Sequence, residues 1–382
     1  MSSRAPTAIT AAMTSAAAQS HENPARDPAI PARHVRALRL WLGIVAFLIV
    51  AMILVGGATR LTDSGLSITE WQPIIGAIPP LSDAHWQEAF EAYKTIPEYS
   101  QVNQGMSLDA FKAIYWWEWA HRFLGRFIGV VFLLPFTGFC IAGYIPRALM
   151  PRLLGLFVLG GLQGALGWYM VKSGLVDRVD VSQYRLAAHF GVAILIFGYT
   201  LWLMLGLGAD RRPRFGAPAI IAALVLLLVF VQLLAGALVA GIDGGLGFNT
   251  WPLMNGALIP NGLGEAAPWY LNLFENPLTV QFDHRMLGYA VVVATILQAV
   301  WLALKAEGLK AEDQPLVGSA LTLAVLALLQ ATLGVWTLLL AVPIQLGLAH
   351  QAGAILVFAV ALYHLWNTTH VQATETQTAA SA

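Results

Sequence analysis

Residues 116–129 read WWEWAHRFLGRFIG, and part of this stretch returns as QFDHRMLGY at residues 281–289. Both copies contain the pattern His-Arg-x-Leu-Gly at the head of a long apolar run. Ionisable side chains are expensive inside a bilayer, and where they occur they usually mark a functional site. The repeated histidine and arginine therefore predict a duplicated site near one surface of a membrane.

Composition supports a membrane location. The 382 residues are 58% hydrophobic and 11% charged, against about 25% charged in an average soluble protein. A span needs about 20 apolar residues, and eight such runs occur, at approximately 38–60, 115–142, 151–172, 186–208, 217–240, 283–304, 315–339 and 346–367. The sequence predicts an all-α polytopic membrane protein. Its net charge of zero gives no support for nucleic-acid binding.

The repeat extends along the whole chain. GGATRLTDSGLSITEWQPIIGAIPP (56–80) resembles AGALVAGIDGGLGFNTWPLMNGALIP (235–260), and LQGALGWYM (162–170) resembles LQATLGVWT (329–337). Four spans separate equivalent points, so we expect two parallel, pseudo-symmetric four-helix bundles. The predicted division is a disordered tail at 1–34, an N-terminal half at 35–210, a C-terminal half at 211–370 and a second disordered tail at 371–382.

Lysine and arginine set the orientation, because they concentrate on the cytoplasmic side. The N-terminal tail and the loops after spans two, four and six hold twelve of them, whereas the opposite loops hold six. Both termini are therefore predicted to be cytoplasmic, with the long loops 61–114 and 241–282 outside. The N-terminal tail lacks the apolar core of a secretory signal, and a transit peptide is the weaker alternative because acidic residues interrupt it.

Four of the nine histidines share a position near the outer ends of the even-numbered spans: His121, His189, His284 and His350. The two histidines of a half are separated by 68 residues in the first half and by 66 in the second. Facing histidines on two helices can hold a haem. Zinc fits less well, because a catalytic zinc site normally has a third protein ligand. His364 has no repeat partner and is predicted to be a packing residue.

Neighbouring residues are consistent with one haem in each half. Gly125 and Gly288 follow the first histidine of each pair by four residues, which leaves room for a flat porphyrin, although close helix packing also explains them. Arg122 and Arg285 are candidate partners of haem propionates; snorkelling to lipid headgroups is the alternative. Asp283 is predicted to be a helix N-cap.

The halves differ at one position beside the histidines. Glu118 precedes His121 by three residues, and the second half has Gln281 at the equivalent position. A carboxylate there can take part in proton transfer, so we expect the first half to be reactive and the second to hold a cofactor. A solvated interfacial glutamate is the alternative for Glu118. Because only the first half is expected to react, the change Gln281→Glu in the second half should reduce conversion only slightly. In the first outer loop, Glu70 is interpreted as a solvated residue.

These residues resemble those of the haem A synthase family of bacterial and mitochondrial inner membranes. The resemblance covers approximately residues 35–367 and depends on ExxHR at 118–122, His189, HRxxG at 284–288 and His350. Some members carry a cysteine pair in the first outer loop. This chain has a single cysteine, Cys140 in the second span, and resembles the cysteine-free subgroup.

The resemblance implies an eight-helix pseudo-symmetric fold and a division of labour between the halves. His121 and His189 would bind haem O as substrate, with Glu118 taking part in catalysis. His284 and His350 would hold a haem B cofactor. The implied reaction oxidises the C8 methyl of haem O to a formyl group by successive hydroxylations, giving haem A for cytochrome oxidase. Haem O synthase, an electron-transfer protein and a second copy of the chain are possible partners, with membrane lipid around the spans.

Two other functions remain open at this point. A di-haem b-type electron-transfer cytochrome would hold two permanent haems and would have no need of the difference between Glu118 and Gln281. A haem transporter or chaperone would release haem O unchanged, and broken helices in mid-membrane would favour it. Pro135 lies toward the cytoplasmic half of span two, so it gives little support for a broken helix at a site near the outer surface.

Overall fold

A computed structural model describes residues 30–209, 211–305 and 314–372. The predicted disordered tails fall largely outside these residues. Among the described residues, eight helices are long and apolar enough to cross a membrane, so the predicted all-α polytopic fold is confirmed. These helices are α1 (Ala32–Leu61), α4 (Leu108–Ile141), α5 (Met150–Asp177), α6 (Gln183–Gly206), α7 (Ala217–Gly241), α9 (Pro277–Leu304), α10 (Gln314–Leu339) and α11 (Ile344–Thr369).

Shorter elements lie in the connections. The first outer loop contains α2 (Asp83–Tyr93) and α3 (Pro97–Gln101), and the second contains α8 (Asn272–Glu275). Single 3-10 turns occur at Ile75–Ala77 and Trp269–Leu271. At the opposite end, β1 (Arg211–Pro213) pairs antiparallel with β2 (His370–Gln372). This short ladder ties the connection between the halves to the end of α11.

Polar caps set where the second and sixth spans, α4 and α9, begin, and they lie outside the apolar runs. The Ser107 hydroxyl accepts a hydrogen bond from Ala110 N (3.2 Å) at the start of α4. The Asn276 side chain accepts from Leu278 N (3.1 Å) at the start of α9, where Pro277 fills the first helical position. The N-cap prediction for Asp283 is therefore wrong, because α9 begins more than a turn before the apolar run.

The interface between the halves consists of their first and last spans. Helices α1 and α6 of the first half pack against α7 and α11 of the second. The largest cluster of buried apolar side chains lies among these helices, and most of it comes from α1, α6, α7 and α11. The remaining spans flank this centre, α4 and α5 on one side and α9 and α10 on the other. Helix α9 packs closely on α10. In contrast, the equivalent helices α4 and α5 touch at few positions.

A buried arginine joins the halves at the outer ends of the spans. Arg60, at the end of α1, forms ion pairs with Asp63 (2.7 Å) and with Asp243 of the second half (2.8 Å). Asp180, before α6, lies 3.7 Å from the same guanidinium. Asp63 and Asp243 are equivalent in the repeat, and both have a left-handed backbone, with φ of 48° and 53°. The turn after the first helix is therefore conserved in conformation between the halves.

The first outer loop folds over the start of α4. Side chains from the loop and from the first turns of α4 form a separate aromatic cluster that includes Trp86, Phe90, Tyr93, Phe111 and Tyr115. Such packing offsets the conformational entropy lost when a long loop becomes ordered. The cluster fixes the helical turn that precedes Glu118.

Candidate haem sites

In the second half, the two predicted histidines face each other. The imidazole ring centroids of His284 on α9 and His350 on α11 lie 6.4 Å apart, and their planes are inclined by 82°. In the first half, His121 on α4 and His189 on α6 are close enough to interact electrostatically. The structure therefore brings the four histidines together as two pairs, one in each half.

The spacing of the second pair fits an iron atom between the rings. Two metal–nitrogen bonds of about 2 Å, together with the distance from each nitrogen to its ring centre, span about 6 Å. The described part of the chain contains no group of three or more His, Cys, Asp or Glu side chains placed to bind a metal ion. Paired imidazoles suit a haem, in which the porphyrin supplies the other iron ligands.

Each of the four histidine rings packs against a glycine on another helix. A Cβ atom at Gly56 or Gly167 would lie 2.8 or 3.0 Å from Cε1 of His121 or His189, respectively. A Cβ atom at Gly236 or Gly334 would lie 3.0 or 2.6 Å from Cε1 of His284 or His350. The sequence analysis missed these glycines. They occupy equivalent positions in the repeated segments, and comparing the segments residue by residue would have found them.

The Glu118 side chain is buried, 2% exposed, and all of its hydrogen-bond partners are donors. One carboxylate oxygen accepts from the Ser67 hydroxyl (2.8 Å) and from Ile68 N (2.7 Å). The other accepts from Nε and Nη2 of Arg122 at 3.0 and 2.7 Å. The interpretation of Glu118 as a solvated interfacial residue is therefore wrong. Four donors therefore surround the two oxygens of this side chain, and two of them come from the guanidinium of Arg122.

Gln281 occupies the same position in the second half, with the opposite polarity around it. Its amide nitrogen donates to Gly244 O (2.6 Å) and Gly247 O (2.7 Å). Its oxygen accepts from Arg285 Nη2 at 2.8 Å. Gly247 stands where the first half has Ser67, so a backbone acceptor replaces a hydroxyl donor. The hydrogen-bonding groups around this position therefore match a carboxylate in the first half and an amide in the second.

Comparison with known proteins agrees with this geometry. The family model for cytochrome oxidase assembly proteins matches residues 39–362. A haem A synthase of Parvibaculum lavamentivorans is 54% identical over 331 residues, covering 86% of this chain and 93% of the relative. A haem A synthase of Bradyrhizobium diazoefficiens is 52% identical over 352 residues, covering 91% and 96%.

The chain belongs to the haem A synthase family. The resemblance inferred from the histidine and glutamate motifs is thereby confirmed. The family match covers all eight spans and both histidine pairs, so the two halves described above are both part of the family architecture.

In each half of this haem A synthase family member, an arginine follows the first histidine of the pair. Both arginines donate hydrogen bonds to the outer loops. Arg122 donates to Ile68 O (2.8 Å) and Glu70 O (2.9 Å) in addition to Glu118. Arg285 donates to Phe248 O (2.7 Å) and Thr250 O (2.9 Å). Each arginine thereby links the loop to the helix that carries the histidine. Contact with haem propionates stays a prediction.

The structure also shows the surroundings of the other residues singled out from the sequence. Glu70 is exposed and accepts from Gln72 Nε2 at 2.7 Å, as expected for a solvated residue. His364 is buried, 3.0 Å from Gln298 Nε2 and 2.8 Å from Ser319 Oγ, which confirms its packing role. A Cβ at Gly125 would meet Met52 Cε at 3.2 Å, and one at Gly288 would meet Gln232 Nε2 at 3.3 Å. These two glycines therefore make room for side chains of α1 and α7, as in close helix packing.

A second buried carboxyl group lies in the first outer loop and was not found from sequence. Glu98 is 3% exposed; its Oε1 accepts from Tyr93 Oη (3.1 Å), whereas Oε2 has no hydrogen-bond partner. Burial raises the pKa of Glu98 to about 8, and the negative charge of Glu118 acts in the same direction. A lone acidic residue in an aromatic loop gives no periodic pattern from which burial could be inferred.

Proposed function

We propose that the chain oxidises the C8 methyl group of haem O to a formyl group, giving haem A. The first half binds haem O through His121 and His189, and the second half holds haem B through His284 and His350. One observation carries this assignment. Both halves contain a histidine pair, but beside the pair the first half has a glutamate, Glu118, where the second half has a glutamine, Gln281. Membership of the haem A synthase family supports the same reaction.

The reaction requires electrons and protons to leave the substrate. Each hydroxylation replaces a C–H bond of the methyl group with a C–OH bond; with water as the source of the oxygen atom, two electrons and two protons are released. The second produces a geminal diol, which loses water to give the aldehyde. An electron-transfer protein is the class of partner that would accept these electrons. Haem B, when bound, supplies one-electron transfer between this partner and the substrate half.

The residues of the first half position the substrate and manage its protons. His121 and His189 fix the macrocycle, and Glu118 lies one turn before His121 on the same helix face. The Glu118 carboxylate can accept a proton released at the porphyrin edge or stabilise positive charge that develops there. Arg122 orients this carboxylate with two hydrogen bonds and ties it to the outer loop. Arg122 and Arg285 remain our candidates for propionate binding.

The looser packing of α4 against α5 supports the first half as the substrate half. Haem O is a membrane-soluble molecule that must enter before each cycle, whereas a cofactor stays bound. We place the protein in the cell inner membrane, or the mitochondrial inner membrane if the source is eukaryotic. Both termini are cytoplasmic in this proposal, or on the matrix side in a mitochondrion.

Production of haem A in cells tests the proposal. The chain is expressed with a haem O synthase in a host that makes no haem A, and extracted haems are separated by reversed-phase chromatography. We expect haem A to appear, and to disappear when His189 is replaced by alanine. A di-haem cytochrome or a haem transporter would leave haem O as the only farnesylated haem. That result would contradict the proposed reaction.

A further inference from the structure

Three of the four histidines are held by a glutamine from the preceding span of the same half. In the second half, Gln232 Nε2 on α7 donates to the backbone oxygen of His284 (3.0 Å) and lies 3.2 Å from its Nδ1. Gln330 Nε2 on α10 donates to the backbone oxygen of His350 (2.7 Å) and lies 2.9 Å from its Nδ1. Each amide bridges the main chain and the ring of one histidine, which restricts rotation of that ring.

The first half repeats this arrangement once. Gln163 on α5 is equivalent to Gln330, and its Nε2 donates to the backbone oxygen of His189 at 2.9 Å. The same amide lies 3.5 Å from Nε2 of His189, whereas Gln232 and Gln330 lie beside Nδ1 of their histidines. Three glutamines therefore share the bond to the histidine backbone, but only the two in the second half also contact Nδ1 of the ring.

His121 is the exception. With Asp63 aligned on Asp243, the residue of the first half equivalent to Gln232 is Met52. The structure agrees, because Met52 packs beside Gly125 as Gln232 packs beside Gly288. Among the described residues, Nδ1 is buried without a hydrogen-bond partner in both His121 and His189, but of the four histidines only His121 receives no glutamine bond to its backbone oxygen. A thioether is at best a weak acceptor, so Met52 fills the space of the glutamine without replacing its hydrogen bonds.

The missing contact matters for metal binding. A histidine ligand usually donates its second ring N–H to a nearby acceptor, which orients the ring and strengthens the ligand, and loss of such a partner typically costs 10- to 100-fold in metal affinity. The amide oxygens of Gln163, Gln232 and Gln330 are buried without partners. For Gln232 and Gln330, rotation of the amide would present this oxygen to Nδ1–H in exchange for the bond to the backbone oxygen. Met52 offers no comparable acceptor.

We propose that Gln163, Gln232 and Gln330 are positioning residues that lock three histidines, through ring and main chain in the second half and through the main chain at His189, and that His121, packed on Met52, is the exchangeable ligand of the substrate iron. The inference rests on the proposed function, which places the substrate in the first half. It explains how one fold retains a cofactor and releases a product. The cofactor half has two locked ligands, whereas the substrate half has one locked ligand and one free to detach.

Exchange of the two side chains between the halves tests the proposal. The variants Met52→Gln and Gln232→Met, and the control Met52→Leu, are purified in detergent from cells that also make haem O. Each is mixed with excess apomyoglobin, and the haems that remain bound are separated by chromatography at successive times. Release of haem, and not its conversion, is the measured quantity.

We expect Gln232→Met to release haem B 10- to 100-fold faster than the parent protein. Met52→Gln should release haem O or haem A more slowly by a similar factor, and Met52→Leu should match the parent. Carbon monoxide binding to the reduced protein gives a second readout, because it needs a detached histidine. Gln232→Met should make the haem B reactive toward carbon monoxide.

Unchanged release from both Met52→Gln and Gln232→Met would overturn the proposal. If Met52→Gln does not fold, Gln163→Met decides: removal of the first-half glutamine that bonds His189 should accelerate release of the farnesylated haem, and an unchanged rate would contradict the locking role. Failure of the proposed function is a separate result. It would appear as a parent protein that makes no haem A, whatever its release rates.

Discussion

Replacing Glu118 by glutamine should stop haem A formation while preserving the fold. The substitution keeps an oxygen that can accept from Arg122, but it places an NH2 group against Ile68 N–H and the Ser67 hydroxyl. The hydroxyl can rotate to accept, whereas the backbone N–H cannot, so about one hydrogen bond to a charged group is lost. Such bonds contribute about 1.5–3 kcal/mol each, and we expect a loss of stability of this order.

The effect on conversion should be much larger than the effect on stability. Positioned acid–base groups typically contribute about 10²- to 10⁴-fold to a rate. In the haem O co-expression system, Glu118→Gln should therefore accumulate haem O or its alcohol in place of haem A. The haem B content should stay at the level of the parent protein, because His284 and His350 are unchanged.

Ser67→Ala is the matched control, because it removes one hydrogen bond to the same carboxylate and leaves the charge in place. It should cost a similar amount of stability and reduce conversion by less than about tenfold, the size expected when the acid–base group itself is kept. If Glu118→Gln still makes the parent amount of haem A, the carboxylate has no chemical role. If Ser67→Ala is as inactive as Glu118→Gln, the loss comes from disorder of the loop and not from the proton acceptor.

Three further outcomes follow from the structure. His284→Ala should remove the low-spin haem B absorption, whereas His364→Ala should retain it, as measured by spectra of the purified proteins. A topology reporter fused at residue 90 should be external and one at residue 212 cytoplasmic; the reverse would place the histidine pairs on the cytoplasmic side. The folded loop holds Glu98 with its pKa raised from 4.5 to about 8, so the loop should lose stability as the pH rises through this window. Protease cleavage of the loop, corrected for intrinsic rate, should accelerate as the pH rises from about 5 to about 8 and level off above this range, and Glu98→Gln should remove this dependence.

The spans were predictable because a membrane helix is set by a single physical requirement, a long enough apolar run. Their starts were less predictable on the outer side. Helix α9 begins at Pro277, and its Asn276 cap lies outside the apolar run. The sequence therefore suggested Asp283, the first polar residue adjoining that run, as the cap.

The histidine pairs were predictable because each histidine has an equivalent in the other half of the repeat. The residues that contact them were missed because they come from other helices, although Gln163 and Gln330 occupy equivalent positions in the repeated segments 162–170 and 329–337. That Gln281→Glu would cost little conversion stays a prediction, whereas the structure indicates a cost in stability. A carboxylate there would face Gly244 O and Gly247 O, two acceptors fixed by the backbone of the loop. Such contacts depend on loop conformation, which the sequence did not reveal.

The haem composition of single histidine variants tests the division between the halves most directly. Each variant is purified from cells that make haem O, and its haems are extracted and separated. The account predicts that His189→Ala keeps haem B and loses haem O and haem A, whereas His350→Ala loses haem B. Loss of haem B from His189→Ala, with farnesylated haem retained, would show that the roles of the two halves are reversed.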